Sequence, residues 1–422
     1  MSLIAKKFKI MNKTVMAIML LIAVIAVFLR FDFLLSVSHQ VSHDTINYDV
    51  MVRQLLDKGI YAYKSTESNA QVSPGYPLFM AAVYKLAGYE QHDPFPYIRY
   101  IQVFLSLVTI VLAGRIATRL GGLYAGLISA AIMAVYPPFI WANGAILTET
   151  LASMLLLLYL NLQLAAFEKT TTWSAMLAGA AMGLLVLTRS EFLIMLAASY
   201  LFYWIWKKDT LRMSKLLLFT ALGTALILSP WVARNMITLH QPVIASTQVN
   251  PFAAGTYPDK NYEDGLVDRH NKTQMEVARE RLKVGFTEHT WTFVKWYTVG
   301  KIKYIYGKMF FGSGHSPLYP VIPFRQAFHI GTMVAGLGAV ALLLRQWRQP
   351  ALLLVILLAA ISITRLAFVP EYRYNFTAMP IFMILDGLLA AMLTRSIARR
   401  FNWKNRLPAE DFSRGKHKEN AA

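Results

Sequence analysis

Long apolar runs separated by short basic clusters recur from Thr14 to about residue 394, and they constrain this chain more than any motif in it. A helix needs roughly 17–25 apolar residues to cross a hydrocarbon core of about 30 Å. A soluble protein of this length would bury its apolar residues in a core and keep a charged surface. Read as spans, the runs fall at roughly 14–36, 100–118, 123–142, 147–166, 173–189, 191–206, 215–233, 326–344, 350–369 and 376–394. The composition agrees, with 56% hydrophobic and 15% charged residues. The expected fold is therefore an all-α polytopic membrane protein of about ten transmembrane helices.

The first run follows Lys6, Lys7, Lys9 and Lys13, as the apolar core of a signal peptide would. Its continuation through Arg30 and Asp32 to Val37 has no small-residue cleavage site, so an uncleaved first span is expected. Lys and Arg gather at alternate connections: the N-terminus, Arg115 and Arg119, Lys169, Lys207 to Lys215, Arg345 and Arg348, and the tail from Arg395. By the positive-inside rule these lie in the cytoplasm, which places both termini inside a plasma membrane. The connection Asn143 to Thr148 carries no basic residue and falls on the opposite side.

Pro77 to Ala87 is apolar but has only eleven residues, about half of what a span requires. It reads as an interfacial or re-entrant helix closed by Gly88. Counting it as a span would reverse every later loop. Two outer regions are then large, 38–97 and 235–325, within one membrane domain over 1–395; residues 396–422 read as a basic, disordered cytoplasmic tail. In the second loop a polar helix is expected near Thr273–Val284. The aromatic and lysine-bearing run from Trp291 to Lys308 suits the head-group level.

The net charge of +19 lies largely at the ends of apolar runs, where it orients helices and meets anionic membrane lipids. No basic soluble domain remains to bind nucleic acid, so none is expected as a partner. Zero cysteines exclude disulfides, thiolate metal sites and a cysteine nucleophile. There is no Walker loop, no G-x-S-x-G and no dinucleotide fingerprint.

Two acids stand out. Asp44 opens a stretch in which Tyr48, Met51, Val52, Leu55 and Leu56 form one helical stripe ended by Gly59. On spacing alone Asp44 reads as a helix cap, or as a base or ligand kept ionised by the helix dipole. Glu149 opens the fourth span, where an ionisable group is costly unless it has a function or a partner. Three arginines, Arg189 (with Glu191), Arg234 and Arg373, sit at outer ends against the charge trend; each reads either as held by a partner such as a phosphate, or as paired locally (Arg189 with Glu191) or snorkelling to the interface. Histidines show no ligand spacing. A divalent metal is the one cofactor to weigh, with Asp44, His43 and Glu149 as its candidate ligands.

In order, Asp44 and Tyr48, Ser73-Pro-Gly-Tyr-Pro-Leu-Phe79, Leu147-Thr-Glu149, Leu187-Thr-Arg-Ser-Glu191, Pro230-Trp-Val-Ala-Arg-Asn235, and Arg373-Tyr before Pro380 resemble the bacterial GT-C glycosyltransferases. The likeness is to the branch related to protein O-mannosyltransferases and lipid A aminoarabinose transferases. That family often has Asp-Glu in the first outer loop, where this chain has Asp44-Thr45, and the 235–325 loop matches no subfamily. The resemblance implies transfer of a sugar from a polyprenyl-phosphate-sugar donor to the hydroxyl of a glycan, lipid or protein of the cell envelope. Asp44 would then be the general base. Arg373 first, then Arg189 and Arg234, would bind the departing phosphate. Glu149 would position a sugar or ligate a metal, and Tyr48, Tyr76 and Glu191 would contact substrate. The rival reading is a transporter or flippase for a lipid-linked glycan, a class that more often shows repeat symmetry and broken helices at the midplane.

Overall fold

The computed structural model describes residues 13–39, 41–245, 249–311, 324–346 and 349–400. The expected disordered tail beyond residue 400 lies outside them. Every regular element described is helical: α1 (Lys13–Ser36), α2 (His43–Lys58), α3 (Gly75–Ala87), α4 (Phe95–Gly121), α5 (Leu123–Val135), α6 (Pro137–Trp141), α7 (Glu149–Lys169), α8 (Thr172–Thr188), α9 (Ile194–Lys207) and α10 (Thr210–Leu239). After these come α11 (Val249–Ala254), α12 (Gln274–Thr287), α13 (Thr290–Lys295), α14 (Lys301–Tyr306), α15 (Arg325–Arg345), α16 (Leu352–Leu366) and α17 (Asn375–Arg400).

All ten expected spans coincide with helix, though their lengths differ from the expectation. Six helices among the described residues are long and apolar enough to cross a membrane: α1, α4, α7, α10, α15 and, from Tyr372, α17. The others are shorter. Span 123–142 is not one helix, because Pro137 and Pro138 lack the N–H groups that would continue α5. Tyr136 turns extended there (φ −68°, ψ 116°) and α6 starts afresh. The run 191–206 begins as a 3₁₀ turn, Ser190–Leu193, before α9.

The most enclosed helices are α7 and α17, whereas α1, α10 and α15 keep most of their apolar side chains on the outside. That inversion of the soluble pattern suits a lipid surround. The tightest approach is α8 against α10. Side chains at Gly179 and Gly223 would strike the facing backbone at Thr220 and Met176, so only glycine fits there. Thr224 Oγ1 then donates to Gly179 O at 3.0 Å across the contact, a small-residue packing typical of helices in membranes.

Ion pairs and hydrogen bonds sort the helix ends into two groups. Arg119 grips Glu168 (2.6 and 2.5 Å) and Arg395 Nη2 donates to Gly121 O (2.7 Å), which gathers the last turns of α4, α7 and α17. The first residue of α7 and the lead into α17 meet at the opposite end, through Glu149 and Arg373. Arg119 and Arg395, from two of the basic clusters, thus lie at the end of the bundle away from Glu149 and Arg373.

The connection between α1 and α4 holds two short helices. Ser42 caps α2, its Oγ accepting from Thr45 N–H at 3.3 Å, and Gly59 ends it in the left-handed region (φ 69°). Asp44 is therefore not the cap; it lies in the first turn with its side chain free to point elsewhere. The stripe behaves as its period demands, with Tyr48, Met51 and Val52 buried. Helix α3 is 13 residues long and stops at Gly88 (φ 65°), too short to span.

The connection between α10 and α15 contains the expected polar helix, α12, with Thr273 and Glu276 forming a reciprocal capping box. From Thr290 to Tyr306 the chain is helical throughout, with a π turn at Trp296–Gly300. Phe293, Trp296, Lys301 and Ile305 face inward, while Trp291, Val294, Val299 and Ile302 are exposed. An exposed apolar face beside lysines is the surface expected at a head-group boundary.

Candidate active site

Arg373 lies in the 3₁₀ turn Tyr372–Tyr374, immediately before α17. Its Nη1 donates to Asp44 Oδ2 at 2.6 Å, its Nε to Glu149 Oε1, and its Nη2 to Glu149 Oε2 at 3.4 Å. One guanidinium therefore joins the two acids, 105 positions apart in the chain, that the sequence singled out. Its planar fork of five donors permits this where a lysine ammonium would not.

The row continues. Arg189 Nη2 donates to Glu149 Oε1 at 2.7 Å, its Nε to Thr148 Oγ1 at 3.1 Å, and its Nη1 stands 3.8 Å from Glu191. Glu191 accepts in turn from Arg365 Nη2 at 2.8 Å. Arg365 also bonds Thr377 Oγ1 (2.7 Å) and Tyr374 O (2.5 Å). Three carboxylates and three guanidiniums thus alternate, from Asp44 with 41% of its side chain exposed to Arg365 with 1%. Taking a charge out of water is costly unless a partner offsets it, and in this row the sum is neutral.

Local folding explains the placement. The turn Ser73-Pro-Gly-Tyr brings the start of α3 against the end of α8, and a Cβ on Gly75 would meet the backbone at Leu187 and Thr188. That close approach fixes the residue after them, Arg189, which ends α8 with extended backbone. Tyr76 is fully buried and donates to Gln102 Oε1 at 3.0 Å. Gln102 Nε2 in turn reaches the carbonyls of Asn143 (3.1 Å) and Ala145 (2.9 Å), anchoring the turn that leads to Glu149. Tyr76 is a support beneath the acids, with no exposed surface for a substrate.

Tyr48 is also buried, its ring 5.8 Å from those of Tyr63 and Tyr76. Burial pushes its hydroxyl up to about 12, so it stays neutral. Tyr63, which sequence reasoning passed over, stands beside Asp44; burial first, then the Asp44 charge, raises its hydroxyl. Nothing in its sequence context marks it. Arg365 was also missed, although an arginine late in an apolar run is a signal of the same kind as Glu149.

Arg234 is placed apart from this row. Its Nη1 donates to Asn69 O (3.1 Å) and Asn235 Oδ1 (2.8 Å), and its Nη2 to Tyr61 O (3.1 Å). It staples the 59–72 stretch to α10, with Tyr61 and Trp231 under its guanidinium.

Among the described residues no three His, Asp or Glu side chains come together as a metal site. Arg373 stands between Asp44 and Glu149, so the two carboxylates face a guanidinium and do not fit a shared cation in this arrangement.

The 249–306 region braces this end of the molecule. Buried Lys301 donates through Nζ to Leu366 O (2.6 Å), the last residue of α16, and to Phe368 O (3.1 Å) just after it. Asn375 Nδ2 bonds Ile305 O (2.8 Å) and Lys308 O (2.7 Å), and Lys260 pairs with Glu371 at 2.6 Å. The segment carrying Arg373 is thus held on both sides.

Comparison with known proteins follows the same lines. Residues 71–233 match the family model described as dolichyl-phosphate-mannose-protein mannosyltransferase. No curated protein matches the chain by sequence. Among solved structures, the apo oligosaccharyltransferase of Archaeoglobus fulgidus is similar with a TM-score of 0.59 at 15% identity, over 93% of this chain and 52% of that one. The same enzyme tethered to an acceptor peptide containing the NVT sequon gives 0.58 at 14% identity, over 93% and 51%. ArnT from Cupriavidus metallidurans bound to undecaprenyl phosphate gives 0.53 at 15% identity, over 90% and 63%. The chain spans about half the length of the oligosaccharyltransferase it matches. At these identities the likeness is one of fold.

Proposed function

On the fold of the GT-C membrane glycosyltransferases, we propose that this chain moves a sugar from a polyprenyl-phosphate-sugar donor to an acceptor hydroxyl at the outer face of the plasma membrane, with both termini cytoplasmic. The observation that carries the reading is the Arg373 guanidinium bridging Asp44 and Glu149 at the most exposed end of a neutral charge row. A cation so held can exchange one carboxylate for a phosphate of like charge and geometry.

In the proposed reaction the acceptor oxygen attacks the anomeric carbon while the bond from that carbon to the phosphate oxygen breaks. Asp44 takes the hydroxyl proton, and polyprenyl phosphate leaves with the bonding electrons. Arg373, turning from Asp44 to the phosphate, would stabilise the charge that develops there and free the base in the same movement. Glu149 stays with Arg189 and holds Arg373 within reach. The acceptor is a hydroxyl of a cell-envelope glycan, lipid or protein. The row sits at one end of the bundle, where a donor head group would approach, which favours a transferase over a transporter with its charges at the midplane.

The test is sugar transfer by the full-length chain in vesicles containing polyprenyl-phosphate sugar. Asp44→Asn should lower turnover about 10²–10⁴-fold while the donor still binds. Wild-type turnover by a correctly inserted Asp44→Asn variant would refute the base assignment.

A further inference from the structure

At the end of the bundle away from the charge row, an apolar cavity of about 830 Å³ lies between α1 on one side and α4, α5 and the last turns of α7 on the other. Its walls include Ala23, Val27, Val111 and Ala130. Val27 and Val111 are themselves exposed, so the cavity is reached from the side that faces lipid. Its volume is in the range of about 300–1,000 Å³ typical of small-molecule sites. Three basic side chains, Arg115, Arg119 and Lys169, line the same cavity.

The three differ in their engagement. Arg119 is neutralised by Glu168 at 2.5 and 2.6 Å. Arg115 and Lys169 have neither an ion pair nor a hydrogen bond to any described side chain. Glu168 is thus already taken by Arg119, and two cations are left over beside an apolar slot. From this juxtaposition we infer a structural site for an anionic phospholipid: one acyl chain lies along Ala23, Val27 and Val111, and the head-group phosphate sits between Arg115 and Lys169. The argument is charge complementarity. A zwitterionic head group would bring its own ammonium to a place that already carries two cations, whereas an anionic one compensates them. The site is independent of the proposed reaction and lies at the opposite end of the bundle.

Native mass spectrometry of the detergent-purified full-length chain tests it, titrating phosphatidylglycerol against phosphatidylethanolamine of the same acyl composition. The wild type should bind phosphatidylglycerol preferentially. The double variant Arg115→Gln/Lys169→Gln should weaken that binding roughly thirty-fold, the worth of two head-group cations, and leave phosphatidylethanolamine unchanged. Ala23→Trp, at an exposed position, should fill the slot and lower binding of both lipids. Equal binding of the two lipids by the wild type, which needs no variant to fold, would overturn the inference. So would phosphatidylglycerol retention unchanged in Arg115→Gln/Lys169→Gln, or displacement of phosphatidylglycerol by equimolar polyprenyl phosphate, which would make the occupant an isoprenoid.

Discussion

The two ends of the helix bundle treat charge in opposite ways. At one, Asp44, Glu149 and Glu191 alternate with Arg373, Arg189 and Arg365, each acid in contact with at least one arginine. At the other, Arg119 has its acid, while Arg115 and Lys169 face the surround alone. Glu149 and Arg365 are 1% exposed, and a lone charge that deep would cost several kcal/mol. Arg115 and Lys169 are exposed, where solvent and head groups do the compensating. Within the row at the first end the buried charges compensate one another, and at the second compensation is left to the membrane. The first can be organised by folding alone; the second is completed by what binds to it.

The largest expected effect is on turnover at the paired end. Asp44→Asn should lower kcat about 10²–10⁴-fold, the usual worth of a general base, and Arg373→Ala about 10²–10³-fold, with donor-dependent rates as the measurement. Because Asp44 is partly exposed, its variant should remain folded, which separates chemistry from assembly.

Glu149→Gln should show the reverse emphasis. It leaves Arg373 and Arg189 short of their shared partner and should destabilise the chain by about 3–5 kcal/mol, read as a lower Tm in detergent. An unchanged Tm would mean that the row is not structural, and the contrast between the two ends would collapse.

Next comes the brace. Lys301→Met removes the donor to Leu366 O and Phe368 O and should cost about 1–3 kcal/mol locally. Its signature as a positioning residue is a weaker donor affinity through the displaced Arg373, with partial rescue by Lys301→Arg. Arg115→Gln/Lys169→Gln should leave turnover within about twofold of wild type, since exposed unpaired cations contribute little to stability. A large loss there would join the two ends into one functional unit.

The smallest effect concerns Asp264. Burial pushes its carboxyl up, but the Arg281 hydrogen bonds at 2.5 and 2.9 Å and the Leu266 N–H outweigh it, so the folded value lies below the ordinary 3.8. A depressed carboxylate stabilises above its unfolded value and loses that contribution as pH falls through the folded one. Acidification below about 3.8 should therefore speed amide exchange in α12, and Asp264→Asn should remove the pH dependence.

How far the sequence reached differs by residue. Asp44, Glu149, Arg189, Glu191 and Arg373 are legible as candidates because a charge in or beside an apolar run is costly and so stands out. Their contact is not legible, since it joins positions up to 329 apart. Tyr63 carries no such mark. Arg234 carried the same mark as Arg189, yet the fold gives it backbone carbonyls to hold. Local rules named Gly59, Gly88 and the helix near Thr273, where backbone conformation decides. They missed the break at Tyr136, because hydropathy alone does not register the proline pair that follows it.

The sequence by itself determined the helical membrane architecture and the identity of the conspicuous charges. Each follows from the cost of placing polar or charged groups in hydrocarbon, a property of single residues and short runs. Only the tertiary structure decided which charges meet. A guanidinium chooses among carboxylates, carbonyls and lipid phosphates by distance and direction, and those are set when α2, α7 and α17 converge. It placed Arg373 between Asp44 and Glu149, and left Arg115 and Lys169 for the membrane.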